Sequence, residues 1–271
     1  MPKVAMKSLL ANFSIFTEAI GGLNELRRVI LTLAIQGQLE PQNLNEVGVG
    51  VALSKIREQK GAVLKVRGSQ LQRMPAIREF PFDPPPNWEF ARIDDTGEYI
   101  NGCTFQSSAH GSVGLPIVRI QNLTNPAATF NYTNRELDSK NIAEAGDVLV
   151  SWSATLDAFI WTGTRAAVNQ HIFKVEPNEE IVNTRFLFLV LKWAVRNLAN
   201  SDALHGSAMK HINRGNFIST VVPLPPLAEQ QRIVAKVDEL MALCDQLEGQ
   251  LESRNALATK FARSITASEY L

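Results

Sequence analysis

Two cysteines, Cys103 and Cys244, stand far apart in the 271 residues, which leaves nothing from which to build a disulfide framework or a thiolate metal site. Histidine is scarce as well. His110, His171, His205 and His211 are all there are, and none has the i, i+4 or cysteine-paired spacing of a zinc ligand set. An excess of either charge is missing, since Lys plus Arg and Asp plus Glu both number 27. The chain is therefore no general polycation, and any contact with a polyanion has to come from a local patch made by the fold. No apolar run is long enough to span a bilayer. The first residues lack the charged start, apolar stretch and cleavage site of a secretory leader, so a cytoplasmic protein without a membrane partner is expected.

Signatures of chemistry are missing too. There is no G-x-x-x-x-G-K-[ST] loop to cradle a triphosphate. "DPPP" at Asp83 to Pro86 resembles the turn with which amino-methyltransferases grip a flipped base, but its fourth position is proline, with no aromatic face to stack. The glycines of "VGVGVA" follow no strand, as a dinucleotide or S-adenosylmethionine loop would require. Asp94-Asp95 beside Thr96-Gly97 reads as a turn rather than an acid/base couple. No catalytic residue, cofactor or metal is expected, and the chain does not read as an enzyme.

The sequence does contain a proline stop followed at once by a long helix. Pro223, Pro225 and Pro226 fix an extended entry and can only precede a helix, which therefore starts near Leu227. If it persists to about Ser264 it is on the order of 55 Å long. Its apolar positions step by fours and threes through Ile233, Val237, Leu240, Cys244, Leu247 and Leu251, break at Arg254, and resume at Ala258, Phe261 and Ile265. Such a seam is the mark of a coiled coil and needs a partner helix. A similar rhythm in "LNELRRVILTLAIQGQL", with Leu23, Leu26, Ile30, Leu33 and Gly37, predicts an N-terminal helix stopped by Gly37 and Pro41.

Between the two lie a basic, polar stretch, "VALSKIREQKGAVLKVRGSQLQRMP", and a rigid "PFDPPPNWEF". The first reads as a solvated connecting helix or arm, the second as a domain boundary. Short strand-like runs follow, "LPIVRIQNL", "DVLVSWSA" and "HIFKVEP", interrupted by the helical "TRFLFLVLKWAVRNLAN" with Phe186, Leu189, Val190, Trp193 and Leu198 on its apolar face. The organisation expected is an N-terminal helical region and arm over 1–80, a mixed α/β (α+β) globular domain over 81–222, and a long helix over 223–271.

Recognition is what these segments can do. "HGSAMKHINRGNF" places Lys210, His211, Asn213 and Arg214 on a glycine-interrupted loop, a usual way to grip phosphates. "SWSATLDAFIWTGT" sets Ser151, Trp152, Ser153 and Trp161 around another loop, where the tryptophans either contact a base or fill the core. "NQH" at Asn169 to His171 offers amides suited to an adenine edge or to local backbone bonds.

The run "VPLPPLAEQQRIVAKVDELMALCDQLE" resembles a conserved region of the specificity (S) subunit of type I restriction-modification systems. "LRRVILTLAIQGQLEPQ", "PFDPPPNWEFARI", "GLPIVRIQNL", "GDVLVSWSAT", "NQHIFKV" and "GSAMKHINRGNF" reinforce the resemblance in the order expected. It implies a non-catalytic, DNA-binding target recognition domain that reads one half of a bipartite duplex. Its helices would set the spacing and dock methyltransferase (M) subunits, through which the motor and nuclease (R) subunit joins. On this resemblance the DNA side falls to Arg119, Gln121, Asn122, Ser151, Ser153, Arg165, Asn169, Gln170, Lys210, His211, Asn213 and Arg214, with Arg119, Arg165, Lys210 and Arg214 sharing a face. Full-length S subunits carry two recognition domains and this sequence one, so either a natural half-subunit or the first half of a longer chain is implied. A half-subunit would pair with a second copy through Ile233, Val237, Leu240, Cys244, Leu247 and Leu251. The competing expectation is a scaffold or decoy that keeps the M-docking helices without reading DNA.

Overall fold

The computed structural model describes residues 16–17, 19, 21–66, 82–106, 111–125, 127–199 and 213–268. They fall into two compact units, one of Met1–Gln42 with Arg232–Leu271 and one of Asn43–Gln231. The two chain ends thus share a unit, and the segment between them forms the other.

In the first unit, helix α1 (Gly22–Ile35) is stopped by Gly37, whose φ of 68° is the left-handed conformation that glycine adopts without cost. The long C-terminal helix, numbered α6 (Leu227–Ser268), has 42 residues and so runs about 63 Å at about 1.5 Å per residue. It begins where the proline stop places it and outlasts the expected end by four residues. Arg27 on α1 donates to Asp245 at 2.7 Å and Glu248 at 2.6 Å, while Lys236 feels the charge of Glu40. Residues rising along one element therefore meet residues falling along the other, and the two run antiparallel.

This changes the reading of the seam. Ile233, Val237 and Cys244 are already buried within the single chain, and burial pushes the Cys244 thiol pKa up against the opposing pull of Arg27. Leu240, Leu247 and Leu251 are half-buried. The helix also presents large apolar side chains to solvent, Leu243 at 52%, Leu257 at 67% and Phe261 at 69% exposure.

The second unit opens with α2 (Gly50–Val66), a helix solvated at most of its described positions but docked along one side. Leu53 and Ile56 are buried, and Arg57 donates to Asp95 at 3.1 and 3.0 Å and to the Phe90 carbonyl at 3.1 Å. Strand β1 (Glu89–Arg92) leads into a 3-10 turn at Ile93–Thr96, the turn that Asp94-Asp95 predicts. Asp95 holds it by accepting from the Arg92 amide at 3.0 Å.

Among the described residues nine further strands and three α-helices follow. They are β2 (Gly97–Asn101), β3 (Leu115–Val118), α3 (Ile120–Thr124), β4 (Asn131–Thr133), β5 (Ile142–Ala143), β6 (Val148–Ser151), β7 (Asp157–Ile160), β8 (Ala166–Val168), β9 (Ile172–Pro177), α4 (Thr184–Ala199), α5 (Arg214–Ser219) and β10 (Val221–Leu224). Among the described residues β2-β9-β6-β7 form one antiparallel sheet, β4-β3-β8-β5 a second with β3 and β8 parallel, and β1-β10 a two-stranded pair. Strands β6 and β8 are buried at every position, as continuous apolar runs are when covered on both faces. Val118, Ala143, Leu149, Trp161, Ala166, Val168 and Ile172 make one core cluster. Helix α4 lies on β6 and β7, burying Phe186, Leu187, Val190, Leu191 and Ala194.

Pro223 sits within β10, opposite Phe90. A two-stranded pair leaves every strand an edge, where the missing amide costs little. Gln230, in the first turn of α6, is 0% exposed and satisfies its whole surroundings. Its Nε2 donates to the carbonyls of Ile181 and Pro225, both at 2.9 Å, and its Oε1 accepts from the Asn183 amide at 2.7 Å. Gln230→Leu fills the same space but orphans three backbone groups, so urea denaturation should show a loss of roughly 2–4 kcal/mol.

Candidate recognition site

Three chain segments converge at the C-terminal ends of the parallel strands. Val118 pairs with Val168, the Asn169 amide donates to the Val118 carbonyl at 3.1 Å, and the Cys103 amide donates to Val168 at 2.8 Å. Gly102 lies between them. A side chain there would run into the carbonyl oxygens of Val168 and Asn169, so only glycine permits this approach.

Strand β8 then turns sharply into β9. The Ile172 amide closes the turn on the Asn169 carbonyl at 3.0 Å, and Asn169 Oδ1 accepts from the His171 amide at 3.4 Å. The asparagine side chain serves the turn, which sets Gln170 and His171 at its corner. The Trp152 amide donates to the His171 carbonyl at 3.3 Å, and the two rings lie 5.4 Å apart. Gln170 Nε2 is 3.3 Å from His171 Nε2.

Arg119 follows β3 directly, and Asn122 fixes the chain behind it. Its Oδ1 accepts from the Arg119 amide at 3.1 Å, and its Nδ2 donates to the carbonyls of Ala128 at 3.3 Å and Thr129 at 3.1 Å. Gln121 is exposed beside it. Arg119, Gln121, Gln170, His171 and Trp152 are thus brought to one strand end.

Other residues predicted for the site sit elsewhere or carry structure. Ser151 is buried and spends its hydroxyl inside the β6–β7 loop, donating to the carbonyls of Thr155 and Asp157 and accepting from the Asp157 amide at 3.2 Å. Ser153 is buried as well. Arg165 precedes β8, at the end opposite Asn169, and pairs with Glu144 at 3.2 Å, so it does not share a face with Arg119. Asn213 is exposed and caps α5, accepting from the Gly215 amide at 2.7 Å. Part of the stretch read as a loop is therefore helix. Arg214 donates to the Tyr99 carbonyl at 3.2 Å and lies 5.7 Å from the centre of the Phe173 ring. Lys210 and His211 lie outside the described residues. Of the two tryptophans left open, Trp161 belongs to the core, with its Nε1 bonded to the Thr164 carbonyl at 2.9 Å. Trp152 stands at the site. His171 is the member that the spacing of residue types did not single out as a contact, and its place in "NQH" was the available signal.

Charge is separated along the sheet. Asp94, Glu98, Glu176, Glu179 and Glu180 line a cleft at the Gly97 and Pro177 ends of β2 and β9. His171 and Glu176 are five residues apart along an extended strand, roughly 16 Å, beyond a physiological Debye length of about 8 Å. Asp157, opposite Ser151 at the near end, is paired with Lys192 at 2.8 Å and Arg196 at 3.8 Å. The acidic residues of that cleft, which Lys60 and Arg214 also line, are thus more than a Debye length from the end that carries Arg119. Burial pushes the Tyr99 pKa up, against the hydrogen bond it shares with Thr96, so its hydroxyl stays neutral. Among the described residues no helix is long and apolar enough to cross a membrane, and no cluster of acidic, His and Cys side chains could hold a metal ion.

The fold is shared with solved type I restriction-modification subunits. The HsdS subunit of Thermoanaerobacter tengcongensis matches 74% of this chain and 51% of its own at a TM-score of 0.51 and 20% identity. A chain from a structural study of complex assembly and conformational transition of the type I R-M system matches 80% of this chain and 55% of its own at 0.58 and 20%. In sequence, the EcoAI specificity subunit of Escherichia coli is 28% identical over 269 residues, and the EcoBI specificity subunit 28% over 185. Both are longer, and the chain spans 45% and 38% of their lengths. The family described as type I restriction modification DNA specificity domain matches residues 85–254. This chain belongs to that family.

The bonds of Asn122 are structural, so Asn122→Ala should lower stability by about 1–3 kcal/mol in thermal denaturation and leave any sequence preference unchanged.

Proposed function

We propose that this chain reads one half of a bipartite duplex DNA target from the strand end carrying Arg119, Gln170, His171 and Trp152, taking no catalytic part itself. The observation that carries the reading is a polar turn, braced by three chain segments and more than a Debye length from the acidic cleft, within a DNA specificity domain. Phosphate contacts would position the duplex, and side chains at the turn would meet base edges. Lys210 is the cation proposed for the backbone. The helices α1 and α6 are proposed to dock M subunits, through which the R subunit joins, in the cytoplasm.

Selection of duplexes from a random library, with the full chain alone and with an M subunit of the same organism, tests the reading. A defined half-site is expected. Recovery of unselected sequence in both arms would overturn it. Binding should weaken with salt, and Lys210→Ala should reduce the slope of log K against log salt by about 1 while weakening all duplexes alike.

For the second half-site we propose an antiparallel pairing with another copy, or with a second recognition half. Because Ile233, Val237 and Cys244 are covered within the chain, the pairing is assigned to the half-buried Leu240, Leu247 and Leu251 and the exposed Leu257. An apolar strip of this kind marks an interaction face, and a two-fold contact of identical helices closes on itself. Light scattering should give a dimer for the wild type at micromolar concentration and a monomer for Leu247→Asp with Leu257→Asp. A monomeric wild type refutes the homodimer.

A further inference from the structure

Three polar atoms at the recognition end are shut off from solvent and have no hydrogen-bond partner in the structure: Arg119 Nε, Gln170 Oε1 and His171 Nδ1. Such groups are few in folded proteins, and each calls for a reason. These three lie on adjoining segments. Arg119 follows β3, Gln170 and His171 form the corner after β8, and the pairing of Val118 with Val168 sets the two side by side.

Their chemistry can be read off. With the Gln170 amide donating to His171 Nε2 across 3.3 Å, the ring carries its hydrogen on Nδ1. The unpaired set is then two donors and one acceptor. A phosphate or carboxylate would suit the donors but would set its oxygen against Gln170 Oε1, which is repulsive. Cytosine and thymine each offer one hydrogen-bonding group in the major groove. Purines offer two. Adenine presents the N7 acceptor with the N6 donor, and guanine presents N7 and O6 as acceptors. Turning outward, the Gln170 amide gives up one long contact with His171.

Resting on the DNA-reading function proposed above, we propose that Arg119 and Gln170 are specificity-determining residues that read two purines in the major groove. Gln170 takes an adenine, its Oε1 accepting from N6 and its Nε2 donating to N7. Arg119 donates to O6 and N7 of a guanine. His171 is a positioning residue that holds the Gln170 amide in orientation until the base replaces it.

The test compares duplexes selected from a random library by the full-length wild type and by single variants, with thermal unfolding as a check on folding. Gln170→Ala should relax one A·T position by about 5- to 100-fold and leave the others intact. Gln170→Glu keeps an acceptor and loses the donor, so that position should move toward cytosine; this change of preference also stands in if Gln170→Ala unsettles the turn. Arg119→Ala should relax one G·C position. Variants that return the wild-type sequence with uniformly lower affinity overturn the assignment and make these residues structural or phosphate contacts. A wild type that selects nothing overturns the DNA reading itself, and this inference with it.

Discussion

The recognition unit depends on one junction, the parallel pairing of β3 with β8 and the passage of Gly102 across its end. The backbone bonds that tie Asn169 to Val118 and Cys103 to Val168 consume the amides of the turn that would otherwise need solvent or a ligand. What is left over at the corner is side chain. Backbone groups at a phosphate site act by presenting their own N–H donors; here they are spent on holding the scaffold, and Arg119, Gln170 and His171 are what the scaffold offers. A fixed backbone with side chains at its corner suits the reading proposed above, because a corner can be altered without disturbing the core beneath it.

That core also explains how a neutral protein can face a polyanion. Strands β2 and β9 run the length of one sheet, with carboxylates gathered at the Gly97 and Pro177 end and the turn at the other. Sheet geometry turns a zero sum into a separation longer than the screening length. Asp157, at the same end of the sheet as the turn, is held by two cations from α4 and so tethers the helix to the sheet.

Periodicity and proline made the outer elements legible in the sequence. Pro225-Pro226 set the start of α6 to the residue, and Gly37 ended α1, because both residues act through local backbone constraints that no tertiary contact overrides. The short strands were legible as runs, but their pairing was not. Nothing in "GLPIVRIQNL" says that its strand lies parallel to the one ending at Val168, and the site follows from that pairing. Residue type alone likewise could not separate readers from scaffold. Asn122 and Ser151 look as suited to a base edge as Gln170, yet they close loops, and Arg165 is removed by its place at the wrong end of a three-residue strand. The docking of α2 was hidden for a similar reason. Its apolar positions Leu53 and Ile56 are sparse, and it is docked by an ion pair, Arg57 with Asp95, whose members are far apart in the chain.

The seam of α6 shows how a correct pattern can support a partly wrong partner. A 3/4 repeat states that a helix has a companion and leaves open which one. The first turns find theirs in the same chain, where the antiparallel α1 is registered by Arg27 against Asp245 and Glu248. The charges then fix that register more firmly than apolar contact alone, since aliphatic seams tolerate a slip of one heptad and an arginine nitrogen shared by two carboxylates does not. Past Glu248 the pattern continues, and Leu257 is 67% exposed. That intramolecular pairing accounts for the buried positions of the seam, and the exposed ones are those proposed above to meet a second recognition half.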